Sequence, residues 1–327
     1  MSSMKTTALL TTLALLVPFA ATAQEMKPDA INASSLASIP ADRPATASDN
    51  PDPAIVRLQV LLDRAGASPG VIDGFYGENV SKAVAGFEAI NGMATDGKVG
   101  PDVTSRLDGK APVIESYVIT ADDATGIVDH IPTDYAEKAK MESMGYTSVA
   151  EKLSERFHMA QALLEKLNEG NDFAVGKTIQ VVMPGPPMQG QVKRIEANKK
   201  SGQVFAYNAE GKPIAVYPAT VGSEENPSPK GLHKVKGVAR NPVYRYDPDK
   251  NFKQGKNDKV LTIPKGPNGP VGSVWIDLTE PTYGIHGTPE PDLIGKVGSH
   301  GCVRLTNWDA EELAGMVKPG VVVEFVN

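Results

Sequence analysis

Pro184-Gly185-Pro186-Pro187 divides the chain into two patterns that no single fold class accommodates. Proline has no amide donor and a fixed φ, so three prolines in four residues interrupt helix and sheet ladder alike. Before this break, apolar residues recur at helical spacing. Ile55, Leu58, Leu61 and Leu62 share one face; Val80, Val84, Phe87 and Ile90 share another; Val103 and Leu107 mark a short third helix. After the break, β-rich runs alternate with turns. Val192–Glu196 is followed by Asn198-Lys199-Lys200-Ser201-Gly202, then Gln203–Tyr207, a turn at Asn208–Gly211, and Pro213–Val221. This rhythm predicts antiparallel pairing. Later strands are expected at Ser273–Leu278, Tyr283–His286 and Val321–Val326. One helix stands among them, capped by Thr306 and stopped by Lys318-Pro319-Gly320. The sum is an all-β sandwich or partly closed barrel behind smaller helical units.

At 327 residues the chain has room for two or three domains. Its 41% hydrophobic and 22% charged residues argue against wholesale disorder and against a multi-span membrane protein. A net charge of −6 gives no nucleic-acid signature. That charge is an average of unlike parts: 15 basic against 24 acidic residues up to position 190, and 18 against 15 beyond it. The mildly basic C-terminal part suits an anionic substrate.

Residues 1–23 read as a secretory signal: Lys5, an apolar run from Thr6 to Ala20, and an A-x-A site at Ala21-Thr22-Ala23. The run is too short to span a membrane. No cysteine follows it, so neither a lipid nor a membrane anchor is expected after cleavage. The protein is expected to be exported, with the periplasm the favoured location. Residues 24–52, rich in Ala, Ser, Pro and Asp, read as a flexible tether.

Asp52-Pro53 opens the first compact unit, residues 53–109. Asp73-Gly74-Phe75-Tyr76-Gly77 and Asp96-Gly97-Lys98-Val99-Gly100 repeat an Asp-Gly-x-x-Gly turn ahead of the second and third helices. From Leu58-Gln59 through both loops to Leu107, this three-helix unit resembles the peptidoglycan-binding domain found beside cell-wall enzymes. Residues 110–145 are acidic and aperiodic and read as a connecting segment. Residues 146–185 give two helices, around Leu153 and Leu163, then Val175-Gly176-Lys177 and a strand at Thr178–Val182. That order resembles a degenerate LysM module of βααβ type, although its opening strand is unclear.

The catalytic chemistry points to residues 190–327. His286-Gly287-Thr288 is followed by Ser299-His300-Gly301-Cys302-Val303-Arg304, which contains the one cysteine of the chain. A cysteine nucleophile needs a base or a cation to reach its thiolate. It also needs backbone N–H groups aimed at the developing oxyanion. His286, His300, Gly301 and Arg304 supply such pieces. An exported protein with a single thiol keeps it either buried and inert or for chemistry. Zinc is the chemical rival, with His286, His300, Cys302 and Asp292 as ligands, but the spacing matches no zinc motif. No metal or organic cofactor is expected.

The stretch resembles the signature of the L,D-transpeptidases (YkuD-type catalytic domain), His-Gly followed by Ser-His-Gly-Cys-x-Arg. Gly266–Gly272, Trp275–Leu278 and Ser228-Pro229-Lys230-Gly231 also fit that family. The resemblance implies a mainly β catalytic domain acting on peptidoglycan stem tetrapeptides. Cys302 would attack the carbonyl of the third stem residue and release D-Ala through a thioacyl-enzyme. His286 would be the base, oriented by the Gly287 carbonyl, with the oxyanion held by amides around Gly301 and Cys302. His300 would shape the pocket. Ser299, Thr288 and Arg304 would order the loop or bind substrate. An amine acceptor would give a 3→3 cross-link, a lipoprotein lysine would give anchoring, and water would give carboxypeptidase or endopeptidase activity. A wall-binding scaffold with a decayed catalytic domain is the non-enzymatic alternative, disfavoured by the intact motif.

Overall fold

A computed structural model of the chain describes residues 26–43, 50–107, 109, 111–223, 226–250, 252–299 and 301–327. The expected signal at 1–23 and His300 lie outside the described residues. Among the described residues, no helix is long and apolar enough to cross a membrane.

The described part of the 24–52 stretch is packed rather than a loose tether. Pro28–Ala33 forms helix α1, and Ile31, Leu36 and Ile39 are buried in the helical core. Asn32 Oδ1 accepts from the amides of Val113 (2.8 Å) and Ile114 (3.0 Å), which fastens the segment further. Three apolar residues and one amide side chain, hidden in an Ala/Ser/Pro-rich composition, thus outweigh the composition. Helix α2 (Pro53–Arg64) starts where Asp52 Oδ1 accepts from the Ala54 amide at 2.9 Å. Helices α3 (Glu78–Ile90) and α4 (Pro101–Leu107) complete the unit. Burying each Leu, Ile, Val or Phe at the α2–α3 contact contributes about 1.5–3 kcal/mol. Each Asp-Gly loop is held by one helix side chain. Gln59 Oε1 accepts from the amides of Asp73 (3.1 Å) and Gly74 (2.8 Å), and Glu88 Oε2 accepts from Asp96 (2.9 Å) and Gly97 (2.8 Å).

Strand β1 (Ile114–Val118) lies within the expected connecting segment. The chain then runs through helix α5 (Tyr135–Lys138), α6 (Val149–Arg156) and α7 (Gln161–Leu167) to strand β2 (Thr178–Val182). β1 and β2 pair antiparallel, Ile114 opposite Val182. β1 is separated from α6 by a long excursion that carries α5.

The C-terminal part is a nine-stranded mixed sheet. Its strands are β3 (Arg194–Asn198), β4 (Gln203–Tyr207), β5 (Pro213–Pro218), β6 (Thr220–Val221), β7 (Gly231–Arg240), β10 (Val274–Leu278), β11 (Gly284–His286), β12 (Val303–Arg304) and β13 (Val322–Val326). A separate hairpin is made by β8 (Tyr244–Tyr246) and β9 (Leu261–Ile263), and helix α8 spans Asn307–Met316. The order is β5-β4-β3-β13-β7-β10-β11-β12-β6. β5 and β6 are joined by Ala219 alone, yet they end the order on opposite sides. The sheet must therefore curl until its ends approach. β7 makes this bend, pairing through its first half with β13 and through its second with β10. Ile195, Val204, Tyr217, Ile276, Ile285 and Val323 fill the interior against Leu313 of α8. Two pairings differ from the antiparallel expectation: β3 with β13, and β11 with β12, run parallel. Turn signals report only neighbours in sequence, whereas these partners come from distant segments.

The helical unit docks on the sheet edge. Ser68 N donates to Val216 O (2.9 Å), and Val216 N donates to Gly66 O (2.8 Å). Val216 also sits against Gly86, where an added Cβ would approach it to 3.0 Å. Asn79 Nδ2 donates to Ile294 O at 3.0 Å, reaching the loop that leads to Cys302. The three parts of the chain meet at His158. Its Nδ1 lies 3.1 Å from Asp63 Oδ2, and its ring stacks on Trp308 at 5.2 Å. Burial is the largest influence and lowers the imidazole pKa, but the Asp63 carboxylate together with Asp309 and Glu312 holds it above the ordinary value.

Candidate active site

Register brings the candidate residues together. His286 ends β11 opposite Trp275 of β10 and opposite Arg304 of β12. Because β11 and β12 run parallel, Cys302, two residues before Arg304, falls alongside Gly284. Its Sγ lies 3.7 Å from the Thr282 carbonyl.

The approach of α8 explains Gly287. A Cβ there would collide with the side chain of Asn307. Asn307 is fixed in turn: its Oδ1 accepts from Ser273 N (3.0 Å) and its Nδ2 donates to Glu155 Oε2 (2.9 Å). Gly301 has φ +104 and sits against Tyr283, where a Cβ would come within 2.8 Å of the ring. Its carbonyl accepts from Ser228 Oγ at 2.7 Å, so the Ser-Pro-Lys-Gly stretch braces the cysteine loop.

The His286 ring is buried, stacked on Trp275 at 5.4 Å, with Nδ1 2.7 Å from the Gly287 carbonyl. A carbonyl can only accept, so Nδ1 carries the proton and Nε2 presents its lone pair. Burial lowers the imidazole pKa to about 4; the Gly287 carbonyl opposes this and Arg304 adds to it. Cys302 is half-buried, and burial pushes its thiol up, while the Gly284 backbone and Arg304 pull it down. Both shifts favour the neutral forms, thiol and imidazole, in the resting protein.

A pH profile follows from these directions. Moving the proton from Cys302 to His286 leaves the total proton count unchanged. For a Cys302 nucleophile with His286 as its base, acylation should then be flat once His286 is neutral and should fall only as pH drops through about 4. An ordinary imidazole would give half-loss near pH 6.5, roughly. Stopped-flow acylation rates between pH 4 and 8, on the order of that window, decide the matter; a half-loss near 6.5 would contradict the buried, neutral base.

Cys302, His286 and Arg304 line one cavity of about 440 Å³, walled by Trp275, Tyr283 and Tyr244. Tyr135 and Phe252 also line it. None of these aromatic residues was singled out from sequence, apart from Trp275 as a family-like position. Tyr244, Tyr246 and Phe252 do form an aromatic-rich run, a usable signal. Tyr135 had none, since it lies in the aperiodic connector.

Ser299 and Thr288, expected to order the loop or bind substrate, are both buried beside the cavity. Ser299 is buried; its hydroxyl donates to Cys302 O (2.6 Å) and accepts from Gly301 N (3.3 Å). Its hydroxyl therefore ties the Gly301–Cys302 backbone into the loop. That bond also engages the Gly301 amide, one of the expected oxyanion donors. Thr288 is buried, accepts from Glu290 N at 3.2 Å, and lines a neighbouring polar cavity with Glu290 and Lys138. Asp292 faces the helical unit, in a groove with Gln59 and Asp73 that neither His286 nor Cys302 lines. Among the described residues, no group of three or more His, Cys, Asp or Glu side chains could hold a metal ion.

Residues 192–324 match the family model of the L,D-transpeptidase catalytic domain. Residues 51–107 match a model described as "Putative peptidoglycan binding domain". The Bacillus licheniformis protein named "Putative L,D-transpeptidase YkuD" is 29% identical over 163 residues, 50% of this chain and 84% of that protein. The Escherichia coli (strain K12) protein named "Probable L,D-transpeptidase YbiS" is 24% identical over 221 residues, 62% of this chain and 70% of that protein. Among solved structures, the L,D-transpeptidase of Xylanimonas cellulosilytica aligns with a TM-score of 0.38 at 16% identity, covering 87% of this chain and 100% of that one.

Proposed function

Since the chain carries an L,D-transpeptidase catalytic domain at residues 192–324 and a peptidoglycan-binding domain at 51–107, we propose that it is an exported cysteine L,D-transpeptidase that rebuilds peptidoglycan stem peptides in the periplasm. The observation that carries this reading is the pairing of Cys302 with a buried, oriented and neutral His286 in one cavity.

His286 Nε2 takes the Cys302 proton, and the thiolate adds to the carbonyl of the third stem residue. The tetrahedral adduct collapses with cleavage of the bond to the terminal D-Ala. The proton held on His286 passes to the departing amine. An acceptor amine then attacks the thioester, gives its proton to His286, and expels the thiolate, which regains that proton. Two modest barriers thus replace one large one. Arg304 supplies the cation that favours the thiolate and offers a partner for a substrate carboxylate. The helical domain holds the enzyme on its polymer. A lipoprotein lysine could serve as the acceptor amine in place of a second stem.

The test uses the full chain with a defined stem tetrapeptide, with and without a stem acceptor, and identifies products by mass spectrometry. Released D-Ala, a thioacyl adduct on Cys302 and a 3→3 linked product are expected. Tripeptide with no linked product in the presence of acceptor would make the chain a carboxypeptidase. No adduct at all would leave only a wall-binding scaffold.

A further inference from the structure

The roof of the catalytic cavity is the β8–β9 hairpin and the chain that joins its strands. Each strand has three residues, and among the described residues they pair only with each other. A lone hairpin of this size has little stability of its own, so its position over Cys302 is set by what it touches. The main contact is Tyr135 of α5. Its ring meets Tyr244 (6.1 Å), Tyr246 (5.2 Å) and Phe252 (5.9 Å), each edge to face. Polar contacts add to this. Tyr135 N donates to Gln254 Oε1, Gln254 Nε2 donates to Thr133 O, and Asn257 Nδ2 donates to Asp134 Oδ2, each at 3.2 Å. Downstream, Met144 N donates to Lys265 O (2.9 Å), and Asn268 Nδ2 donates to Gly145 O (3.0 Å). One excursion of the chain, between β1 and α6, therefore grips the roof and, just beyond it, the chain that leaves β9. It lies wholly outside residues 192–324.

We propose that Tyr135 is a positioning residue for the transfer reaction: it holds the roof hairpin over Cys302, orders the bound stem peptide and keeps water from the thioester until the acceptor amine arrives. The inference rests on the transpeptidase reading above. A thioester waiting for a second substrate hydrolyses unless its site is covered, and such covers are usually mobile elements that need a latch. The aromatic ring is the working part. Burial pushes the Tyr135 hydroxyl up to about 12, so it stays protonated and takes no part in proton transfer at neutral pH.

The experiment compares the full-length wild type with Tyr135→Ala and Tyr135→Phe. Three quantities are read: amide hydrogen exchange of 244–263, the donor KM and kcat, and the ratio of hydrolysis to transfer with a free D-amino acid as acceptor. In Tyr135→Ala, exchange in 244–263 should quicken about tenfold, donor KM should rise about 5–10-fold with kcat within about threefold, and hydrolysis over transfer should rise about fivefold. Tyr135→Phe should restore all three, because the ring contacts remain. Unchanged exchange in Tyr135→Ala overturns the latch. Faster exchange with unchanged KM and partition overturns its role in the reaction, as does a phenylalanine variant that behaves like alanine. A wild type that forms no thioacyl-enzyme overturns the transpeptidase reading instead, and the exchange arm is read independently of that result.

Discussion

Replacing Cys302 by alanine should abolish D-Ala release from a stem tetrapeptide, a loss on the order of 10⁴-fold or more. The size follows from what else lines the cavity. Tyr135, Tyr244 and Tyr283 present phenols, and burial raises the first two, so neither is an activated nucleophile. Lys250 is paired with Asp247 at 3.5 Å. What remains after the thiol is lost is binding and oxyanion stabilisation, which cannot form a covalent intermediate. The fold should persist, because the loop around position 302 is braced by Ser299 and Ser228 through backbone carbonyls rather than through the thiol. Intact-mass measurement after incubation with substrate should show no adduct on the variant. Activity within tenfold of wild type would exclude Cys302 as the nucleophile.

His286→Gln should slow acylation by about 10²–10⁴-fold at neutral pH, with a changed pH dependence. Without an internal base, the rate follows the thiolate fraction. That fraction rises about tenfold per pH unit below the thiol pKa, and burial places that pKa above the ordinary value. The variant should therefore recover as pH rises, whereas the wild type stays level. Rapid-quench acylation across pH 6 to 9, roughly the span of thiol titration, provides the comparison. His300 is the competing base. If His300→Ala abolished acylation while His286→Gln acylated normally, the roles assigned to the two histidines would have to be exchanged.

Much of this site was legible because its chemistry is local. Ser-His-Gly-Cys-x-Arg puts the candidate nucleophile, its turn glycine and the cation within six residues, and the candidate base His286 lies 16 residues before Cys302. Thr306 as a helix cap was equally legible, since a cap needs only its own first turn; its Oγ1 accepts from Asp309 N at 3.1 Å. The rest depends on contacts between distant residues. Tyr135 reaches its cavity across more than a hundred residues, from a segment without periodicity. β1 escaped notice because most of its residues are exposed, so the apolar alternation that marks a half-buried strand is faint. The α1 region was misread on composition, which averages over the few side chains that decide packing. Nothing near His158 in sequence signals its role, because its partners, Asp63 and Trp308, come from two other parts of the chain.

The bonding of Val216 to Gly66 and Ser68 has a consequence for the solution behaviour of the catalytic domain. β5 ends the strand order of the large sheet, and an uncovered terminal strand offers unpaired amides and carbonyls to any similar edge it meets. Here the helical domain occupies that margin with its own backbone and lays α3 across it. The helical domain thus covers the β5 edge, and on that ground should guard the sheet against edge-to-edge pairing. A fragment cut at the proline break would carry its whole catalytic motif and lose that guard, leaving a sticky seam along Pro213–Pro218.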